Sequence, residues 1–139
     1  ELTTPSSTGP VSTRDFIVSR LSETYLVAAE AYLKSGNPTT GLDRLNEVRK
    51  RAGVANATLA EFNIDYILDE RGRELLGEYH RWFDLKRTGT LVARASAHHY
   101  KIKASNFIGV GGALKILRPI PQQALDLNQN KDFPQNPGY

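Results

Sequence analysis

The sequence predicts an all-α fold: a helical hairpin packed on further helices, followed by a long irregular C-terminal segment. Three observations predict it. Apolar residues recur at three- and four-residue steps through 20–34, 38–52 and 64–76, the period of one helix face. Gly36, Gly53 and Gly77 stand where those runs stop, the usual place for a helix to end. Beyond Leu91 the pattern weakens into Ala-rich and Gly-Gly pieces and a proline-containing tail.

Taken in order, residues 1–19 form an extended lead-in rich in Ser, Thr, Pro and Gly near its start. The folded domain is expected over 20–139. Ser19 or Ser22 is expected to cap the first helix, Arg20 to Lys34, with Leu21, Tyr25, Ala28 and Tyr32 in one line and Leu26, Ala29 and Leu33 beside it. Asn37 before Pro38 suits the start of the second helix. Its stripe is Leu42, Leu45, Val48 and Ala52, and the basic run Arg49, Lys50 and Arg51 complements its C-terminal dipole in solvent. Tyr25-x-x-Ala28-Ala29-x-x-Tyr32 and Gly41-x-x-x-Leu45 parallel the two helices of a tetratricopeptide unit, so the hairpin is tetratricopeptide-like. Ala29 and Gly41 are small enough to let the two helices approach closely.

Thr58-x-x-Glu61 reads as a capping box opening a third helix, either unbroken from Leu59 to Leu76 or bent near Asn63. Ile64, Ile67 or Leu68, Arg71 and Leu75 share its inner face. His80 to Leu85 is expected to form a shorter helix folding back after Gly77. Residues 91–112 are weakly patterned. His98 and His99 are adjacent and lack a third ligand, so a surface loop is expected there and no metal site. Leu114 to Ile120 reads as extended, and Pro121 to Leu127 as a brief helix. The tail is expected to pack on the helices as coil, anchored by Phe133 and Tyr139.

Composition bounds the function. A chain of 139 residues, 40% hydrophobic and 24% charged, makes one modest core. Its net charge is +3 and its pI about 9.3, but no basic arm or aromatic–basic alternation points to nucleic acid. Without cysteine there are no disulfides or thiolate metal sites. No cofactor is indicated. No apolar run is long enough to span a bilayer. Methionine is absent, so the chain is expected to be a processed or trimmed piece of a longer protein.

The densest charge lies in Ile64 to Arg87, with the only tryptophan, Trp82. Arg71 falls in an apolar stripe, where a guanidinium must be paired. Glu70, Arg71, Glu74, Glu78, Arg81 and Asp84 are therefore expected to form a structural charge network. A glycosidase would place two carboxylates roughly 5–9.5 Å apart on opposite sides of a sugar. Glu70, Glu74 and Glu78 recur every four residues along one helix, so no catalytic residues are assigned and no enzyme activity is expected. Trp82 is expected in the core. Tyr79 and Trp82 suit a sugar chemically, Tyr100 is a loop candidate, and no ligand-binding residue is assigned.

Glu70-Arg71-x-x-Glu74-Leu75 followed by Glu78-x-x-Arg81-Trp82-Phe83-Asp84-Leu85-x-Arg87 resembles the signature of the SusD/RagB family. Arg20-Leu21-x-Glu23-x-Tyr25-Leu26-x-x-Ala29-Glu30-Ala31 agrees with it, as do Pro119-Ile120-Pro121-Gln122 and Gln135-Asn136-Pro137-Gly138-Tyr139. The resemblance implies the C-terminal part of an outer-membrane lipoprotein. Such a protein binds glycans or other nutrients at the cell surface beside a SusC-like TonB-dependent transporter. It implies attachment to the membrane only through a lipid anchor upstream of this chain. The competing expectation is a tetratricopeptide-type module that binds protein partners.

Overall fold

The structure, a computed structural model, describes residues 15, 17–130 and 132–139. The lead-in expected over 1–14, together with Phe16, lies outside the described residues; Ile17 and Val18 are exposed and outside regular structure. The all-α prediction holds: six α-helices and no strand occur among the described residues. The chain forms two compact units, Glu1–Asn63 and Ile64–Tyr139.

In the first unit, α1 (Leu21–Lys34) and α2 (Pro38–Arg51) form the hairpin. Both end on a glycine of positive φ, Gly36 and Gly53, closed by two backbone bonds each. Asn37 N–H reaches Tyr32 O and Gly36 N–H reaches Leu33 O; Val54 and Gly53 do the same to Arg49 and Lys50. Gly41 sits against α1: a Cβ there would lie 2.8 Å from the Ala29 carbonyl and 2.9 Å from the Phe62 ring. That approach decides which line of α1 is buried. Leu26 and Ala29 are fully enclosed with Leu45, whereas Leu21 and Tyr32, on the neighbouring line, are exposed. On α2 the stripe is Gly41, Leu45 and Val48; Leu42 is half-buried and Ala52 exposed. Burying leucines such as Leu26 and Leu45 contributes about 1.5–3 kcal/mol each.

The expected serine caps are absent. Arg20 occupies the N-cap; the Ser19 hydroxyl donates to Glu23 (2.6 Å), and the Ser22 hydroxyl accepts from Arg20 (2.6 Å). Asn37 holds the N-cap of α2, but its Oδ1 accepts from the Thr40 hydroxyl. After α2 the chain runs back along it. Asn46 clasps Ala57 both ways, accepting its N–H at 2.8 Å and donating to its carbonyl at 3.1 Å. Arg49 is not purely solvated, since its Nε donates to Ala55 O. Glu61 closes on Thr58, accepting its N–H (2.8 Å) and hydroxyl (2.7 Å), but the pair caps only a turn. The next helix starts at Ile64.

In the second unit, α3 (Ile64–Glu74) buries Ile67, Leu68, Glu70 and Arg71. It ends short of Leu76. A turn through Gly77 leads to α4 (Arg81–Arg87), and α5 (Leu91–His98) follows. α5 was not expected; it buries only Leu91 and is fastened by Arg94, which pairs with Asp65 (2.6 Å) and Asp69 on α3. His98, His99 and Tyr100 are exposed. From 99 onward the described residues are irregular, apart from two short 3₁₀ turns and α6 (Gln122–Asp126). Pro121 is the N-cap of α6 rather than its first residue. The tail is held by amides and by Tyr139, whose hydroxyl donates to Leu117 O at 3.2 Å and whose ring lies against Lys115, although Phe133 and Tyr139 are about half exposed. Gln135 clasps Ile120 in both directions (2.7 and 2.9 Å), and Asn136 donates to Arg118 O at 2.7 Å.

Candidate functional site

The site is built on α4 and the loop that feeds it. A seven-residue helix shows two faces at once. Asp84 and Leu85 turn inward and are buried, while Phe83 and Lys86, three apart, face out with half-buried Trp82.

On the inner face Asp84 lies between two guanidinium groups. Arg71 Nε donates to Oδ2 at 2.7 Å, with both side chains only 3–5% exposed. Arg87 donates to Oδ1 at 3.2 and 3.0 Å from the solvent side. Of the six residues named in the charge network, these contacts bring together Arg71 and Asp84. Arg81 lies close by, donating from Nη1 to Leu68 O at 2.6 Å. Gly72 makes room for it, since a Cβ there would stand 3.3 Å from Arg81 Nη1. Burial lowers the Arg81 pKa from its ordinary value, Arg94 adds to that, and Asp69 and Asp84 oppose it. Glu70 is buried and accepts from Arg73 at 2.7 Å. Glu74 and Glu78 are half-buried, with Glu78 beyond the helix end. Arg73 and Arg87 were missed, although both sit three residues after their carboxylates, a spacing legible on any helix.

On the outer face is an open hollow of about 620 Å³ lined by Tyr79, Arg81, Trp82, Phe83, Lys86 and Arg118. The Arg118 guanidinium lies over the Trp82 ring, 5.2 Å from its centre. Trp82 is thus half-buried rather than in the core. Tyr79 is 75% and Phe83 68% exposed. Tyr79 is the only non-glycine among the described residues with positive φ, +63°. It also borders a second hollow of about 490 Å³, with Asp69, Arg71 and Leu76 in its wall. Lys86 and Arg118 carry no motif; the contact between α4 and residue 118 joins distant parts of the chain, which periodicity does not reveal.

Among the described residues no group of three His, Cys, Asp or Glu side chains could hold a metal, and no helix is long and apolar enough to cross a membrane.

The architecture is that of an all-α protein with a tetratricopeptide-like hairpin. The chain belongs to the SusD family, whose model it matches over residues 2–139. It is 35% identical over 127 residues to the starch-binding protein SusD of Bacteroides thetaiotaomicron, covering 90% of this chain and 22% of that protein. It is 35% identical over 118 residues to SusD-like protein P25 of Formosa agariphila, covering 81% of this chain and 22% of that one. SusD-like protein P2 of the same organism is 30% identical over 142 residues, 94% of this chain and 27% of that protein. The chain thus spans about a quarter of the length of these relatives or less. No solved structure matches it.

Proposed function

We propose that this chain is part of a SusD-like protein that binds a nutrient, in first place a glycan, at the outer-membrane surface. The whole protein hands that nutrient to a SusC-like TonB-dependent transporter and is held to the membrane by an N-terminal lipid. The observation that carries this reading is the family match across residues 2–139, supported by the similarity to a starch-binding relative. In this reading the chain is mainly scaffold. Glu70, Arg71, Glu74, Glu78, Arg81 and Asp84 serve as a structural charge network, and the protein catalyses nothing. The hairpin alone would also suit a tetratricopeptide-type partner-binding module, but the charged α3–α4 region and the clasped tail have no place in such a module.

The test is to express the whole protein with its neighbouring transporter, isolate outer membranes, and measure glycan binding by calorimetry and transporter association by co-purification. Binding of a glycan without release of reducing sugar, together with co-purification, is the expected result. A protein that binds no glycan or other nutrient and purifies without the transporter would overturn the reading.

A further inference from the structure

We propose that the hollow beside α4 is a subsite for an acidic saccharide, one bearing carboxylate or sulfate groups. The inference deepens the nutrient-binding reading above and rests on it.

Three features converge. The lining holds three aromatic side chains, of which Tyr79 and Phe83 are exposed and can cover the apolar C–H surface of a sugar ring, while Arg118 lies over the face of Trp82. It also holds three cations, Arg81, Lys86 and Arg118, and no carboxylate. Asp84, on the same helix, is turned inward and held by Arg71 and Arg87, so it does not neutralise the hollow from within. Arg81 answers in part to Asp69 and Asp84, which leaves Lys86 and Arg118, both exposed, as the principal partners for a ligand anion. A neutral glycan would use the rings and leave these charges unanswered.

The third feature is Tyr79. A non-glycine residue at φ +63° holds a left-handed backbone conformation that L side chains seldom adopt. Three-quarters of its surface is in solvent, so the ring is open to a ligand. The conformation presents the ring at the rim shared by the two hollows. A stabilising role for Tyr79 and a ligand-contacting role therefore predict opposite effects of removing it.

The test uses the 139-residue chain and the whole protein side by side. The probes are a galacturonate hexamer, a sulfated galactan hexamer and a neutral maltohexaose, each titrated by calorimetry and by Trp82 fluorescence. Acidic probes are expected to bind and to change the fluorescence, and their affinity should fall as salt is raised. Preference for galacturonate assigns carboxylate, preference for the galactan assigns sulfate, and either supports the subsite. Arg118→Gln and Lys86→Gln each remove a charge from an exposed position and should weaken binding about tenfold. Tyr79→Gly should lose affinity about tenfold while leaving the unfolding midpoint unchanged or higher.

Equal binding of maltohexaose and the acidic probes would overturn the proposal. So would acidic binding indifferent to Arg118→Gln and Lys86→Gln, or a Tyr79→Gly variant that binds normally. If the whole protein binds a glycan but these variants leave that binding intact, the subsite fails and the nutrient-binding reading stands. If the whole protein binds no glycan or other nutrient, both fail.

Discussion

Arg71 carries its charge into a place that water does not reach, and Asp84 meets it there at 2.7 Å. Taking away Arg71 leaves the buried Asp84 with Arg87 alone, on its solvent side, and the loss of a buried partner costs up to about 3–5 kcal/mol. Arg71→Ala should therefore lower the unfolding free energy, read from urea melts followed by Trp82 fluorescence, by up to that amount, and Arg71→Lys should also be poorly tolerated because an ammonium lacks the planar fork. Lys50→Ala, an exposed control, should stay within about 0.5 kcal/mol of the parent. An unchanged midpoint for Arg71→Ala would remove the structural account of the cluster. A second residue-scale prediction concerns Glu61. Its pKa is lowered from the ordinary 4.5, first by the Thr58 hydroxyl and then by the Thr58 N–H. A lowered carboxylate contributes stability that is present above the unfolded-state value and lost as pH falls through the folded one. Thr58→Ala should raise the Glu61 pKa toward 4.5, as read by carboxyl-carbon NMR titration, and acid should then loosen the 58–61 turn earlier. The pairing of Arg71 was legible because an arginine in an apolar stripe demands a carboxylate. The hollow was not legible, because Trp82 was weighed as an apolar residue and its neighbour Arg118 comes from irregular chain 36 residues later.

At the scale of elements, α1, α2 and α3 were legible from an apolar stripe and a terminal glycine, and the short α4 and α6 from their local signals, whereas α5 was not legible. α1, α2 and α3 each have both a periodic face and a stop signal. α5 has one buried residue, Leu91, and owes its attachment to ion pairs from Arg94 to Asp65 and Asp69, so no hydrophobic period marks it. The rotation of α1 was hidden for a related reason. Two apolar lines run along that helix, and only the contact of Gly41 with Ala29 selects between them. Gly41→Ala should then be costly, because the added methyl would stand 2.8 Å from a helix carbonyl and 2.9 Å from the Phe62 ring. A loss of about 1–3 kcal/mol is expected in thermal or urea unfolding followed by circular dichroism. A stabilised variant, showing only the helix preference of alanine over glycine, would mean that the helices are not in close approach there.

For the molecule as a whole, the charge distribution and the tail bear on function together. The chain's net charge of +3 equals the number of cations lining one hollow, so the other charges of the chain sum to zero. The position of Arg118 in that hollow depends in turn on the C-terminus, since Asn136 holds the backbone carbonyl of Arg118 and Gln135 holds both backbone groups of Ile120. Gln135→Ala should cost about 1–2 kcal/mol through the unpaired Ile120 groups. It should also speed hydrogen exchange at the Ile120 amide and shift Trp82 emission as Arg118 loosens. Unaltered exchange and emission would show that the tail does not set the position of Arg118.

The clasp at Ile120 has one more consequence. Leu114, Ile116, Leu117 and Ile120 give the 114–120 segment the apolar composition from which intermolecular strands are made. Pro119 and Pro121 donate no hydrogen bond, so Ile120 offers the only backbone donor between Arg118 and Gln122, and Gln135 occupies it. A neighbouring copy approaching that edge meets a ladder rung already taken. Opening the clasp thus exposes a template as well as weakening a fold, and the second effect grows with concentration, where measurements on dilute protein do not register it.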